Sequence, residues 1–178
     1  MTELKPGDVF CSQNPMMLGR MINAVQKFHS KDNKSEYSHS GVILDSSGTT
    51  FEALWTNRKQ NLFEAYKGKK VLIGRHVDMV PAIFAVGWVG VKKHEGKRYA
   101  FHRLPLFFIP FVAKYVNAGL CVCSELTMKF LCHCRLAPAW KGWTPDDVAD
   151  MIIKWKEWEI IFEGELPKTL EHTLLKED

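Results

Sequence analysis

Cys123 stands at the head of a segment in which Cys123, Leu126, Phe130, Leu131 and Cys134 recur at helical spacing, so a helix with one buried face is predicted over 123–135. In a first helical turn the partial positive charge of the N-terminus lowers a thiol pKa, and the unpaired backbone N–H groups can hold an oxyanion. Both effects suit a nucleophile. The competing reading of a cysteine on an apolar helix face is a small buried hydrophobe, and position alone does not choose between them. His39 lies in Ser38-His39-Ser40-Gly41-Val42-Ile43-Leu44, a β-rich run followed by the turn composition Asp45-Ser46-Ser47-Gly48 and a second run, Thr49 to Trp55. Closing that turn with Asp45 against Gly48 puts Gly41 opposite Glu52 and His39 opposite Leu54. Glu52 then becomes a diagonal neighbour of His39 on one face, within reach of a glutamate side chain.

These three residues supply the parts of a thiol nucleophile: a cysteine, a base that takes or holds its proton, and a carboxylate that fixes the imidazole tautomer and stabilises its charged form. The N–H groups near Cys123 and Ser124 would hold a developing oxyanion. Glu125, an acid in a first helical turn, reads as dipole compensation.

The remaining thiols are Cys11, Cys121, Cys132 and Cys134, which makes five in all. An odd set, with neither a basic start nor an apolar run in Met1 to Asp8, predicts reduced cysteines and a cytoplasmic location. Cys121-Val122-Cys123 and Cys132-His133-Cys134 form a rival constellation for a metal. Adjacent-but-one residues on a helix diverge by about 200°, however, so Cys132 and Cys134 would not converge. The expectation is no metal and no cofactor, with Cys11, Cys132 and Cys134 as packing residues. His29, His76, His94, His102 and His133 have no partner spacing and read as solvated or capping groups.

The elements that must position these residues follow from punctuation and periodicity. Pro6-Gly7 is a turn into a strand at Asp8 to Cys11. Asn14-Pro15 caps a helix carrying Leu18, Met21, Ile22, Val25 and Phe28. A strand is predicted at Val71 to Val77, and a buried helix weakened by Gly87 and Gly90 at Asp78 to Lys93. The aromatic and proline-rich stretch 96–119 reads as a long loop that serves as a lid, a membrane contact or a core edge. Thr144-Pro145-Asp146-Asp147 caps another helix, and Trp158 to Phe162 is a closing strand. Trp140, Trp143, Trp155 and Trp158 are expected in the core, and Lys92-Lys93 and Lys97-Arg98 in solvent. The class is α+β with an antiparallel sheet.

The chain has 178 residues, 46% hydrophobic and 25% charged, enough for one core and too apolar for disorder. Its 24 basic against 20 acidic residues give +4, far from a nucleic-acid-binding balance. The longest apolar run, Leu104 to Ala113, contains Pro105 and Pro110 and falls well short of the roughly 20 residues a membrane span needs. No repeat or linker divides the chain, so one domain is expected over 1–165, followed by a charged tail over 166–178.

Several blocks together resemble a known family. Lys5-Pro6-Gly7-Asp8-Val9-Phe10, Tyr37 to Leu44, Phe51-Glu52-Ala53, Gly96-Lys97-Arg98-Tyr99 and Cys123-Ser124-Glu125-Leu126 are similar, in that order, to the permuted papain-like hydrolases, the YiiX-like branch of the NlpC-type cysteine peptidase superfamily. Unpermuted members place the cysteine helix first; here it comes last. The resemblance covers about Lys5 to Val148. It implies a permuted papain-like fold with Cys123 as nucleophile, His39 as base, Glu52 as third polar residue and Tyr99 near the thiol or substrate. This sequence departs from many members in carrying Cys121 just upstream and a long insertion between Tyr99 and Cys123.

The activity so implied is hydrolysis of an amide bond through an acyl-enzyme, on a peptidoglycan-type peptide or another small acyl-amide, without nucleic acid. Transfer of the acyl group to another acceptor, as in lipid-handling relatives, would use the same residues. A non-catalytic binding module of the same fold would instead keep Cys123 buried and unreactive. Oligomeric state is not encoded in any of these features.

Overall fold

The computed structural model describes residues 3–13, 36–98 and 123–167. Six strands form one antiparallel sheet: β1 (Val9–Ser12), β2 (His39–Ile43), β3 (Thr49–Ala53), β4 (Asn57–Asn61), β5 (Lys70–His76) and β6 (Trp158–Glu165), in the order β4-β3-β2-β1-β5-β6. Among the described residues four helices accompany them: α1 (Leu62–Ala65), α2 (Pro81–Lys92), α3 (Cys123–His133) and α4 (Pro145–Lys154). The molecule is thus mixed α+β, as its alternation of β-rich runs and helical spacings implies.

β1 lies at the centre, paired with β2 on one side and β5 on the other. Its entry is held by Asp8, fully buried, whose carboxylate accepts from the Lys5 backbone at 2.8 Å and from the Arg75 guanidinium at 2.7 Å through each oxygen. A forked, charge-assisted pair of this kind fixes orientation as well as energy. One face of the sheet, with Val9, Val42, Phe51 and Leu72, packs on Leu126, Met128, Phe130 and Leu131 of α3 and on Val148, Met151 and Ile152 of α4. Each fully buried side chain of this size contributes roughly 1.5–3 kcal/mol. The opposite face gathers Phe10, Ile43, Ile73, Leu62 and Tyr66.

α4 begins as its sequence dictates: the Thr144 hydroxyl accepts from the Asp147 N–H at 3.1 Å, and the Asp147 carboxylate accepts from the Thr144 N–H at 2.8 Å. In the β2–β3 hairpin Gly41 faces Glu52, the register expected from the turn, although β3 stops at Ala53 and His39 pairs with Ser12 of β1 instead of Leu54.

Other expectations need correction. β4 went unforeseen because Asn57-Arg58-Lys59-Gln60-Asn61 has no apolar alternation; it is a polar edge strand, and Arg58 and Lys59 protect its open side. α3 is buried nearly all round, since the sheet, α2 and α4 surround it. α2 is no buried helix: only Gly87 and Val91 are fully covered. Its glycines do not simply weaken it. A methyl group at Gly87 would overlap Cys134 and Phe130, and one at Gly90 would overlap the His133 ring, so both glycines are sites of close approach to α3. His76 and His94 are buried, whereas Trp155 is exposed. Leu166, assigned to the tail, is buried and exchanges backbone hydrogen bonds with the 68–69 turn. The predicted helix after Asn14, the 99–119 loop and residues beyond 167 lie outside the described residues. Among the described residues no helix is long and apolar enough to cross a membrane.

Candidate active site

α3 delivers Cys123 in its first turn, where the backbone N–H of Ser124 hydrogen-bonds to the sulfur together with the N–H of Ser40 on β2. A second tie joins the two elements: the Thr127 hydroxyl donates to the Cys123 carbonyl at 3.1 Å and receives the Ser40 hydroxyl at 3.2 Å. The helix start is therefore docked onto the strand carrying His39. Thr127 occupies the α3 position one turn after Cys123, which places its hydroxyl over that carbonyl.

The His39 Nε2 donates to Glu52 Oε2 at 2.6 Å, and the ring also hydrogen-bonds to Cys123, for which Nδ1 is the nitrogen left. Glu52 is held from three sides. Besides His39, Tyr66 donates its hydroxyl to Oε2 and Thr50 donates to Oε1. The Tyr66 ring also lies nearly parallel to the imidazole, at 5.9 Å and 21°, with Phe10 against both rings. His39, Glu52 and Cys123 are all buried, so nothing in this network is diluted by solvent.

Burial opposes every charge here, and the partners outweigh it. For Cys123 burial pushes the thiol up, but the His39 charge, its hydrogen bond and the two backbone N–H groups hold it below 9.0. For His39 burial pushes down, while Cys123 and then Glu52 carry the imidazole well above 6.5. Glu52 would likewise rise on burial; the His39 hydrogen bond and charge, then Thr50 and Tyr66, hold it below 4.5. All three shifts act toward a thiolate beside an imidazolium beside a carboxylate, the charge pattern of an activated nucleophile.

Of the residues singled out in the sequence, Cys123, His39, Glu52 and the Ser124 N–H come together. The Ser124 hydroxyl is committed elsewhere, donating to the Trp143 carbonyl at 2.6 Å. Glu125 is fully buried, with Oε1 accepting from the Gly142 N–H at 3.5 Å, and is more than a surface dipole partner. Tyr99 and Cys121 lie outside the described residues. Thr50 and Tyr66 were missed. Thr50 had a signal, since it shares the strand face of Glu52 two residues away; Tyr66 had none, because it follows the short α1 and reaches Glu52 only through the fold. Among the described residues no group of three or more His, Cys, Asp or Glu converges as a metal site.

No family profile and no curated relative matches this chain. Among solved structures it is similar to the crystal structure of metalloprotein YiiX from Escherichia coli O157:H7, with 13% identity, a TM-score of 0.63, and coverage of 92% of this chain and 99% of that one. At that identity the likeness establishes a YiiX-like fold and nothing about chemistry.

Proposed function

We propose that the chain is a permuted papain-like cysteine hydrolase of small acyl-amides or peptides, with Cys123 as nucleophile, His39 as acid and base, and Glu52 as the residue that orients and charges His39. The observation carrying this reading is the buried imidazole hydrogen-bonded to a carboxylate through one nitrogen and to a helix-start thiol through the ring's other side. The Cys123 thiolate attacks the carbonyl carbon, and the oxygen takes the negative charge against backbone N–H groups at the α3 start. As the C–N bond breaks, His39 gives its proton to the leaving amine, and a thioester remains. Water then gives its proton to His39 and attacks the thioester, which releases the carboxylic acid and restores the thiolate–imidazolium pair. An amine or hydroxyl in place of that water gives acyl transfer with the same residues.

YiiX is a metalloprotein, but the donor set here does not fit a metal at this site. His39 Nε2 and both Glu52 oxygens are already engaged within the protein.

A binding module of the same fold is the second reading, and one observation favours it: Cys123 is only 2% exposed. Limited treatment with iodoacetamide near neutral pH, followed by peptide mass spectrometry, separates the two, along with a screen of amide, peptide and thioester libraries. Rapid labelling of Cys123 and turnover lost in Cys123→Ala support the hydrolase. An unreactive Cys123 with ligand binding but no turnover would replace it with the module.

A further inference from the structure

Every residue of α2 before Lys92 is uncharged, and the sequence Pro81-Ala82-Ile83-Phe84-Ala85-Val86-Gly87-Trp88-Val89-Gly90-Val91 is apolar on all sides. Helices of that composition are ordinarily enclosed by protein or lipid. Here one side is enclosed, against α3, through Gly87 and Val91. The other side is open. Val86 is 59% and Val89 73% exposed, Ala82 and Ala85 are exposed beside them, and Val80 (48%) directly precedes the helix.

Charge begins where this face ends. Lys92 and Lys93 close α2, and Lys97 and Arg98 follow after one turn, all four exposed. Across the α2–α3 contact Lys129 and His133 lie close enough to Lys93 to share its field, and Lys129 and Lys141 flank the Trp140 ring. Within residues 92–98 four cations stand against one acid, Glu95. Asp78 stands at the opposite end of the helix, and Glu95 faces Lys59 at 3.8 Å.

We infer that the outer face of α2 and the basic cluster at its C-terminal end form a docking surface for an anionic lipid bilayer. A protein partner fits it less well. The open residues of α2 are valines and alanines, without the aromatic anchors that carry protein interfaces. A bilayer needs no matched partner surface: apolar side chains enter the boundary between headgroups and acyl chains, and lysines and arginines beside them bind anionic headgroups. This inference does not depend on the thiol chemistry.

The test is co-sedimentation of the full chain with vesicles of phosphatidylcholine alone and with vesicles of equal parts phosphatidylcholine and phosphatidylserine. The expected result is binding to the second and little to the first. Weakening by about tenfold or more is expected in Lys92→Glu/Lys93→Glu, since each cation near an anionic surface is worth about 1 kcal/mol, and a comparable loss in Val86→Glu/Val89→Glu. All four positions are exposed, and circular dichroism of each variant checks that the fold is kept. Failure of the wild type to bind the anionic vesicles, or equal binding by a folded double variant, overturns the proposal. So does a wild-type dimer in solution that Val86→Glu/Val89→Glu dissociates, because that makes the face a contact between copies.

Discussion

Cys123 and Cys11 carry the same side chain, both are buried, and Cys11 is near enough to feel the charge of Cys123, yet their acidities move in opposite directions. Cys11, in the middle of β1, meets burial and the negative charges of Cys123 and Asp146, all of which push its thiol up; its sulfur donates to the Pro145 carbonyl at 3.8 Å. Cys123 pays the same desolvation cost but has an imidazolium and two backbone N–H groups. Burial is thus common to both, and the partners at the end of a strand and the start of a helix decide the chemistry.

The largest difference between the two thiols should appear in turnover. Cys123→Ala and His39→Ala should each abolish hydrolysis of any substrate found in the screen, and the double variant should lose little more than either alone, since both serve one step. Steady-state assays of the three variants check this, and additive losses would separate the two residues. Cys11→Ala should leave turnover intact.

Next in size is alkylation. A thiol at the ordinary value of 9.0 is about 1% ionised at pH 7, and Cys11 lies above it. A fully ionised Cys123 would therefore exceed Cys11 in thiolate fraction by more than about 100-fold, and the weaker nucleophilicity of an acidic thiol reduces the advantage in rate to about tenfold or more. Isotope-coded iodoacetamide read by mass spectrometry measures the ratio. Equal rates would remove the distinction.

The pH profile tests its cause. Because the Cys123 value is lowered, its alkylation should rise at a pH below 9.0 and then stay level, while Cys11 should react only as pH climbs past 9.0. Glu52→Gln removes the carboxylate that favours the imidazolium. His39 should then lose its proton at lower pH and Cys123 should titrate higher, so the rise shifts toward that of Cys11. An unmoved profile would mean that Glu52 has no part in charging His39.

Tyr66→Phe should do the same to a smaller extent. It deletes one of three hydrogen bonds to a buried carboxylate, an interaction worth about 1.5–3 kcal/mol, and leaves the ring stacked on His39. A several-fold slower alkylation of Cys123 with a smaller shift of the rise is expected, and no shift would make Tyr66 a packing residue alone. The smallest effect belongs to Cys11→Ala, which should cost about 1 kcal/mol in denaturant unfolding.

How far the site could be read from residues alone differs between its halves. The His39–Glu52 pairing rested on a tight turn, Asp45 to Gly48, and strand alternation carried that local geometry to both side chains. Cys123 announced itself only as a thiol at a helix start. Its meeting with His39 depends on Ser40 and Thr127 docking α3 onto β2 across 87 residues of sequence, which no periodicity encodes. β4 and the outward face of α2 escaped for complementary reasons: one is a strand without apolar residues, the other an apolar helix that is not enclosed. Composition identifies a buried element only when the fold supplies a cover.

The place of β1 at the centre of the sheet also sets a timetable. Strands β1, β2 and β3 are all synthesised by Ala53, so the base and its carboxylate are in hand while the thiol is still 71 residues from Glu52 along the messenger. At translation rates of about 5–20 residues per second, that interval lasts roughly 4–14 s. A ribosome-bound chain therefore passes through a period in which His39 and Glu52 exist without Cys123. Cys123 is the last of the three residues to be made, so a half-built chain holds the histidine–glutamate pair before the thiol that completes the site.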